Sequence, residues 1–554
     1  MILLANYINK NSNRILFLFF LLFLAVGIFT YKDYGISIDE EFHRFSGFYW
    51  LNYVLSFTPF DAFNNEVLNK LNDISGFTLP NPKNYPVYGV IFDLPAAFIE
   101  TLFKIEDSKN YYHFRHFLTF LIFFISSIFF YKLLFNRFSN FNVSIVGTLF
   151  YIISPRIYGN SFYNNKDIIF LSLITIALYF CFKNIDKLCF KNIIFFSLFA
   201  ALATSARVLG VFIPISFFLI YFFSILDGKY KFESAYKILF FLTIYFIFLI
   251  IFWPYLWESP IENFLHSLKL FSKYTLGIKM LFNGSYISSK FLPYSYIPTW
   301  IGLTTPVVYL FLFLLGSFYI LKRIFFRFLN IKENSVHHEL WRGKNEKKDL
   351  YIFLNFFGIL FYLIFANVVL YTGWRQIYFL NIFIIYISTY MFYIFFLNLK
   401  SYKKKLFLNF SAFLFLIFMG INLVVYHPYQ NIYFNILATK NLKKNMEIDY
   451  WGLSGMEFLK NILKREPYKK SINIGVASFL PLERSLSILD KNNRKKINMV
   501  GQNYELADYI FNSNISEVDK NVNNKYNIPK NFKKIEELII NNTKVFEIYK
   551  NTID

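Results

Sequence analysis

Asp39, Glu40 and Glu41 sit together in the run Gly35-Ile36-Ser37-Ile38-Asp39-Glu40-Glu41-Phe42-His43-Arg44, shortly after the first strongly apolar segment. Carboxylates are costly to strip of water, so three of them where a chain has just left a bilayer must face water or a polar cavity. Ser37 and Glu40 have the spacing of a capping box, which predicts a helix start here with Asp39 in its first turn. The positive end of such a helix lowers a carboxylate pKa and leaves an ionised proton acceptor at the membrane surface. A plain solvated helix start would use the same residues, so chemistry here needs partners from elsewhere in the chain.

Polar residues of the right kind recur at the ends of apolar segments. Asp93 lies in Gly89-Val90-Ile91-Phe92-Asp93-Leu94-Pro95, and Arg115 and His116 open one apolar stretch. Ser154-Pro155-Arg156 closes another, Asn164-Asn165-Lys166-Asp167 opens the next, Arg207 separates two more, and Trp374-Arg375-Gln376 stands between a further pair. A lone cation near a helix end also serves as an interfacial anchor. Gathered on one face, these carboxylates and guanidinium groups could instead hold a phosphate ester or diphosphate.

What must position them is a membrane bundle. The chain has 554 residues, 56% of them hydrophobic, with 76 Phe. Apolar runs able to cross about 30 Å of hydrocarbon recur along most of it. Spans are predicted near 15–30, 117–135, 142–155, 168–182, 192–206, 208–226, 237–253, 300–321, 351–370, 377–397 and 406–426. The first has no small-residue cleavage site behind it and reads as an uncleaved span.

The net charge of +22 is not the footprint of a nucleic-acid binder. Lys and Arg concentrate in a few short loops: Lys183, Lys187 and Lys191; Lys229, Lys231 and Lys237; Lys322 to Lys348; Lys400 to Lys405. With a cytoplasmic N-terminus all of these fall on one side, the positive-inside pattern. Residues 31–114, 156–167, 254–299, 371–376 and the tail from 427 then face the other side. His337-His338 falls in a basic loop and reads as solvated. Cys181 and Cys189 imply no disulfide framework.

Two segments outside the spans are long enough to fold. In 31–114, the aromatic stretch from Phe45 to Phe57 suits either interfacial helices or packing on the bundle. Pro80, Pro82 and Pro86 break helicity before a second apolar piece, Val87 to Phe103. In the tail, 471–477, 496–500 and 507–511 read as strands, 482–489 as a helix, and 535–540 with 543–549 as a hairpin turned at Asn541-Asn542. The expectation is a mainly α, polytopic bundle of about 11 spans (1–426), followed by a small extracytoplasmic α/β domain (427–554). Neither a Gly-rich phosphate loop nor an internal repeat is present, which weighs against nucleotide binding and against a transporter built of matching halves.

The acidic pair Asp39-Glu40, the Pro-Arg-x-x-Gly-x-x-Phe-x-Asn-x-Lys-Asp run from Pro155 to Asp167, and Arg207 after a small-residue helix resemble polytopic glycosyltransferases of the GT-C class. The similarity is to the branch containing protein O-mannosyltransferases and the lipid A aminoarabinose transferase. His427-Pro428-Tyr429-Gln430-Asn431-Ile432-Tyr433-Phe434-Asn435 and Asp449-Tyr450-Trp451-Gly452 resemble a bacterial subgroup of these proteins, and serve equally as a structural junction. The resemblance implies transfer of a sugar from a polyprenyl-phosphate carrier to a glycan, lipid or protein acceptor on the outer face of a bacterial inner membrane. It implies catalytic roles for Asp39 and Glu40, with Asp39 as general base or acceptor-orienting carboxylate. Asp93, Arg115, His116, Arg156, Lys166, Asp167, Arg207 and Arg375 become candidates for substrate binding. A phosphate leaving group is already a weak base, so it calls for positive charge more than for an acid. With no Asp-x-Asp pair the chain offers no clear metal motif, and a divalent cation remains an alternative. A flippase or transporter, a polysaccharide polymerase or ligase, and a membrane scaffold are the competing classes.

Overall fold

The computed structural model describes residues 12–75, 79–86, 88–226, 232–273, 277–329, 343–438, 441–513, 515 and 524–552. Val87, Lys229, Lys231, Arg342 and the pair His337-His338 lie outside the described residues. Among the described residues, 7 helices are long and apolar enough to cross a membrane: Ser12–Asp33, Ser108–Phe138, Asp167–Asp186, Val307–Phe326, Lys344–Phe365, Leu380–Asn398 and Tyr402–Val425. Shorter apolar helices run over Phe141–Ile152, Phe190–Ala206, Val208–Phe222 and Ala235–Ile251. Every span expected from the sequence falls on one of these. The chain is a multi-pass helical bundle with a small mixed domain at its end.

Apolar burial sorts the helices into layers. Asp167–Asp186 and Leu380–Asn398 run through the middle, enclosed on nearly all sides, whereas Ser12–Asp33 and Tyr402–Val425 expose most of their surface. An apolar helix bare on its outer face is stable only against lipid. One predicted boundary moves. The span expected at 300–321 divides into Tyr296–Thr304 and Val307–Leu329. Pro306 supplies no N–H and pushes Thr305 into an extended conformation, and the expectation followed apolarity across that break.

Among the described residues, basic groups of the segments around 137, 186 and 344–349 meet at one end. There Arg137 donates to Asp349 at 2.5 Å and Lys348 lies 2.7 Å from Asp186. At the opposite end, segment 31–114 forms helices Glu40–Leu55, Asp61–Ser75 and Asp93–Leu102. Phe45, Phe48, Leu51, Leu55, Val67, Ile74 and Ala97 make a satellite core between them, so Phe45 and Phe48 serve packing while Phe57 stays exposed.

The tail carries helix Gly455–Arg465 and strands that, after a hairpin β1 (Lys279–Phe282) and β2 (Ser285–Ser288), are β3 (Ile472–Val476), β4 (Ile497–Gly501), β5 (Tyr509–Ser513), β6 (Phe532–Ile540) and β7 (Thr543–Asn551). Their order is β4-β3-β5-β7-β6. β3 pairs in parallel with β4 and β5, while β5–β7 and β6–β7 are antiparallel. Asn541 and Asn542 both take positive φ, 44° and 62°, the backbone a two-residue hairpin turn requires. Phe458 of the helix packs on Phe511 and Phe546 of the sheet.

Candidate functional site

A cavity of about 340 Å³ opens where the acidic segment, the loop carrying Arg375 and the tail converge. Its charged wall is Asp39, Arg375, Arg484 and Lys279, with the Glu447 carboxyl beside them; Tyr85, Tyr88, Tyr371 and Tyr450 supply phenol edges, and Phe42, Leu480 and Ile515 an apolar side.

The acidic segment is built differently from a full capping box. Glu40 reaches back, its Oε1 accepting from the Ser37 N–H at 2.6 Å, but the Ser37 hydroxyl donates to the Tyr163 carbonyl at 3.4 Å instead of capping the helix. Asp39 therefore stands at the helix N-cap without a capping bond. Its carboxylate is turned outward to Arg375, with Nη1–Oδ2 at 2.5 Å, and a third of the side chain remains exposed. Burial alone would raise the Asp39 pKa. The Arg375 guanidinium, aided by Arg484, outweighs it and holds the carboxyl below the usual carboxylate range. Neighbouring guanidinium groups thus favour the ionised form of Asp39.

Arg375 is held as firmly as Asp39. Its guanidinium lies over Trp451 at 4.4 Å and Tyr371 at 5.0 Å, a stacking geometry that fixes its plane while leaving its edge to anions. Trp451 belongs to the Asp449-Tyr450-Trp451-Gly452 motif, whose fold explains its residues. Asp449 accepts from Asn431 Nδ2 at 3.1 Å and from the backbone N–H groups of Leu453 and Ser454. The Ile38 N–H donates to the Trp451 carbonyl at 3.0 Å, and the Tyr34 hydroxyl donates to Gln430 at 3.0 Å. Both tail motifs act as a junction that clamps the segment leading into Asp39.

Beneath the cavity floor lies a buried ionic frame. Asp93, fully buried, accepts from Asn165 at 2.8 Å, Lys166 at 3.1 Å and Arg115 at 3.3 Å. Arg115 also holds Glu100 at 2.5 Å, which Arg44 shares at 2.9 Å. Lys166 donates to the Gly89 carbonyl, Arg207 pairs with Asp167, and Asn164 bonds the other Asp167 oxygen at 3.0 Å. His116 Nε2 lies 2.9 Å from Glu40 Oε2. His43 stands between frame and cavity. Burial, helped by Lys166, Arg207 and Arg375, pushes its pKa well down, so its ring is neutral; its Nδ1 has no partner among the described residues.

The sequence-derived candidates therefore separate. Asp39 and Arg375 line the cavity. Glu40, Asp93, Arg115, His116, Lys166, Asp167 and Arg207 are all buried and pair in three groups: Asp93 with Arg115 and Lys166, Glu40 with His116, and Asp167 with Arg207. Arg156 goes elsewhere: Nε donates to the Tyr433 carbonyl at 2.9 Å, and its guanidinium lies over Phe434 and Trp300, at 4.7 and 5.4 Å. Sequence reasoning missed His43, Lys279, Arg484 and Glu447. Only Glu447 carried a local signal, a carboxylate between Met446 and Ile448 just ahead of the Asp449 motif. Among the described residues, no group of three or more His, Cys, Asp or Glu side chains converges as a metal site.

Two predictions follow from this architecture. A methyl on Gly89 would run into the Ser205 carbonyl, forcing apart the Lys166 anchor and the turn that presents Arg207. Gly89→Ala is expected to cost about 3 kcal/mol of stability by overpacking; an unchanged unfolding temperature would show that the two segments part freely. Burial pushes the Glu447 carboxyl up to about 8, against 4.5 for the free group, despite the Leu281 N–H and Arg375. The folded protein then holds an extra proton between those values. Stability from this group is full below about 4.5 and is lost as pH rises through about 8, at up to about 1.4 kcal/mol per pH unit. Unfolding temperatures across pH 5 to 9 should fall more steeply for the native chain than for Glu447→Gln; parallel curves would remove Glu447 as the source.

Fold and site together define a polytopic membrane protein with a charged cavity at the ends of its helices. In structure the chain is similar to ArnT from Cupriavidus metallidurans, whose crystal structure is bound to undecaprenyl phosphate. The match covers 96% of this chain and 97% of that one, at 9% identity and a TM-score of 0.43. No protein-family model and no curated protein matches the sequence.

Proposed function

We propose that the chain is an integral membrane glycosyltransferase that moves a sugar from a polyprenyl-phosphate carrier to an acceptor hydroxyl on the extracytoplasmic face, and that the Asp39–Arg375 cavity is its reaction chamber. The observation that carries this reading is the pair itself: an ionised, part-exposed carboxylate touching a stacked guanidinium in a cavity beyond the ends of the spans. The volume suits a sugar residue. A polyprenyl chain cannot leave the bilayer, so an enzyme using it must bring water-facing chemistry to the ends of membrane helices.

In this scheme the acceptor oxygen bonds to the anomeric carbon as the bond from that carbon to the phosphate oxygen breaks. The bonding electrons leave with the phosphate, and the acceptor proton passes to Asp39. Arg375, Arg484 and Lys279 stabilise the departing anion, the larger share of the catalytic work. Asp39, with a low pKa, accepts its proton late, after bond breaking has made the hydroxyl acidic. Glu40, Asp93, Arg115, His116, Lys166, Asp167 and Arg207 act as positioning residues, and Arg156 secures the tail junction. The basic loops at the far end support a cytoplasmic placement of that end.

The test is release of polyprenyl phosphate by the purified chain in lipid, over a panel of polyprenyl-phosphate sugars with diphosphate-linked saccharides alongside. Turnover of a monophosphate donor would establish the class and name the sugar. Turnover of diphosphate donors alone would replace this reading with a polymerase or ligase.

A further inference from the structure

A second cavity, about 580 Å³, lies apart from the first, between two span ends and the tail domain. Five lysines line it: Lys32 at the close of the first span, Lys109 at the opening of the second, Lys460 and Lys464 on helix Gly455–Arg465, and Lys496 before β4. Asp490 is the one acid in its lining, and Lys109 already holds it at 2.8 Å. Lys496 donates to the Pro467 carbonyl at 3.1 Å. Lys32, Lys460 and Lys464 have no carboxylate partner among the described residues.

This arrangement opposes itself. Lys460 and Lys464, four residues apart on one helix face, repel each other, and three further ammonium groups converge on the same hollow. A fold brings such charges together at a cost that an anion reverses. Height and floor define the anion further. Lys32 closes the first span, and Lys109 opens a helix of 31 residues that outreaches the hydrocarbon core, which puts the hollow at or just beyond the lipid head groups. Met456, Ile488 and Leu489 are buried behind it, and the half-buried Leu463 gives the hollow an apolar edge that a hydrated inorganic ion would leave unused. Basic pockets beside membrane helices are where phosphate-bearing head groups lodge.

We infer that this seam is a binding site for a phosphate group, carried by a membrane lipid whose head group enters between the bundle and the tail domain. The inference is independent of the transferase reading. An occupant would join Lys32 and Lys109 to Lys460, Lys464 and Lys496, and so tie the tail domain to the membrane surface.

The experiment titrates delipidated full-length chain in neutral detergent with dioctanoyl phosphatidic acid, dioctanoyl phosphatidylcholine and inorganic pyrophosphate. Two double variants are compared: Lys460→Gln with Lys464→Gln, and Lys403→Gln with Lys404→Gln at the opposite end. Lysines near such a group contribute about a factor of 5 each, so the first pair should weaken phosphatidic acid binding about 25-fold. The second pair should leave it within about twofold, and Lys460→Arg with Lys464→Arg should restore it. Loss confined to phosphatidic acid supports the lipid as source, whereas equal loss for pyrophosphate assigns the site to soluble phosphate. Similar losses in both double variants, or none in either, would overturn the site in favour of general attraction to a basic protein.

Discussion

Asp39→Asn should lower sugar transfer by roughly a thousandfold, the range over which a positioned general base acts, while the protein inserts and folds as before. The substitution preserves shape and keeps an oxygen facing Arg375, so packing is untouched; what disappears is the charge that accepts the acceptor's proton. Arg375 is only 6% exposed, but the asparagine oxygen still accepts from it and Trp451 and Tyr371 still stack on it, so the guanidinium keeps partners when the charge is lost. The measurement is initial rate of polyprenyl phosphate release at saturating donor, beside the unfolding temperature. Arg375→Ala distinguishes the partners: donor affinity should fall with it and survive in Asp39→Asn. A rate within tenfold of the native chain for Asp39→Asn would take the carboxylate out of the chemistry and leave it as a mere counterion to Arg375.

The second large effect is on stability. Asp93 is fully buried and accepts from Lys166, Arg115 and Asn165 at once. Asp93→Ala would leave two cations facing each other in a medium that cannot hydrate them, at a cost of about 4 kcal/mol. Much of that is the penalty of an uncompensated charge, so removing the nearer cation should recover part of it. Asp93→Ala with Lys166→Met is expected to unfold at a higher temperature than Asp93→Ala alone. If the single variant unfolds like the native chain, water reaches the frame and the carboxylate is free for a direct role with substrate.

These two carboxylates mark how far the sequence could be read. Both were visible as acids beside apolar segments, and both were assigned to the site. Nothing local distinguishes a carboxylate that lines a cavity from one enclosed beneath it, because that depends on which helix ends meet. Arg156 makes the same point. Its place in the Pro155–Asp167 run is in register with Lys166 and Asp167, yet the short helix Pro155–Tyr163 turns it toward Phe434 and Trp300. Tail groups were beyond reach for another reason: Arg484 stands 446 residues from Ile38, whose carbonyl it contacts.

The sequence by itself determined the membrane helices, the gathering of basic loops at one end, the hairpin at Asn541-Asn542 and the acidic segment opposite. Each rests on interactions local to the chain: an apolar run long enough to cross a bilayer, charge excluded from it, and side chains that favour a turn. Only the tertiary structure decided that Asp39 meets Arg375, that Asp93 and Asp167 are enclosed with their cations, and that Glu447 and Arg484 complete the cavity. Those pairings join segments tens to hundreds of residues apart. Their energies come from shared burial and from Coulomb attraction in a low-dielectric setting, which exists only once the helices have packed.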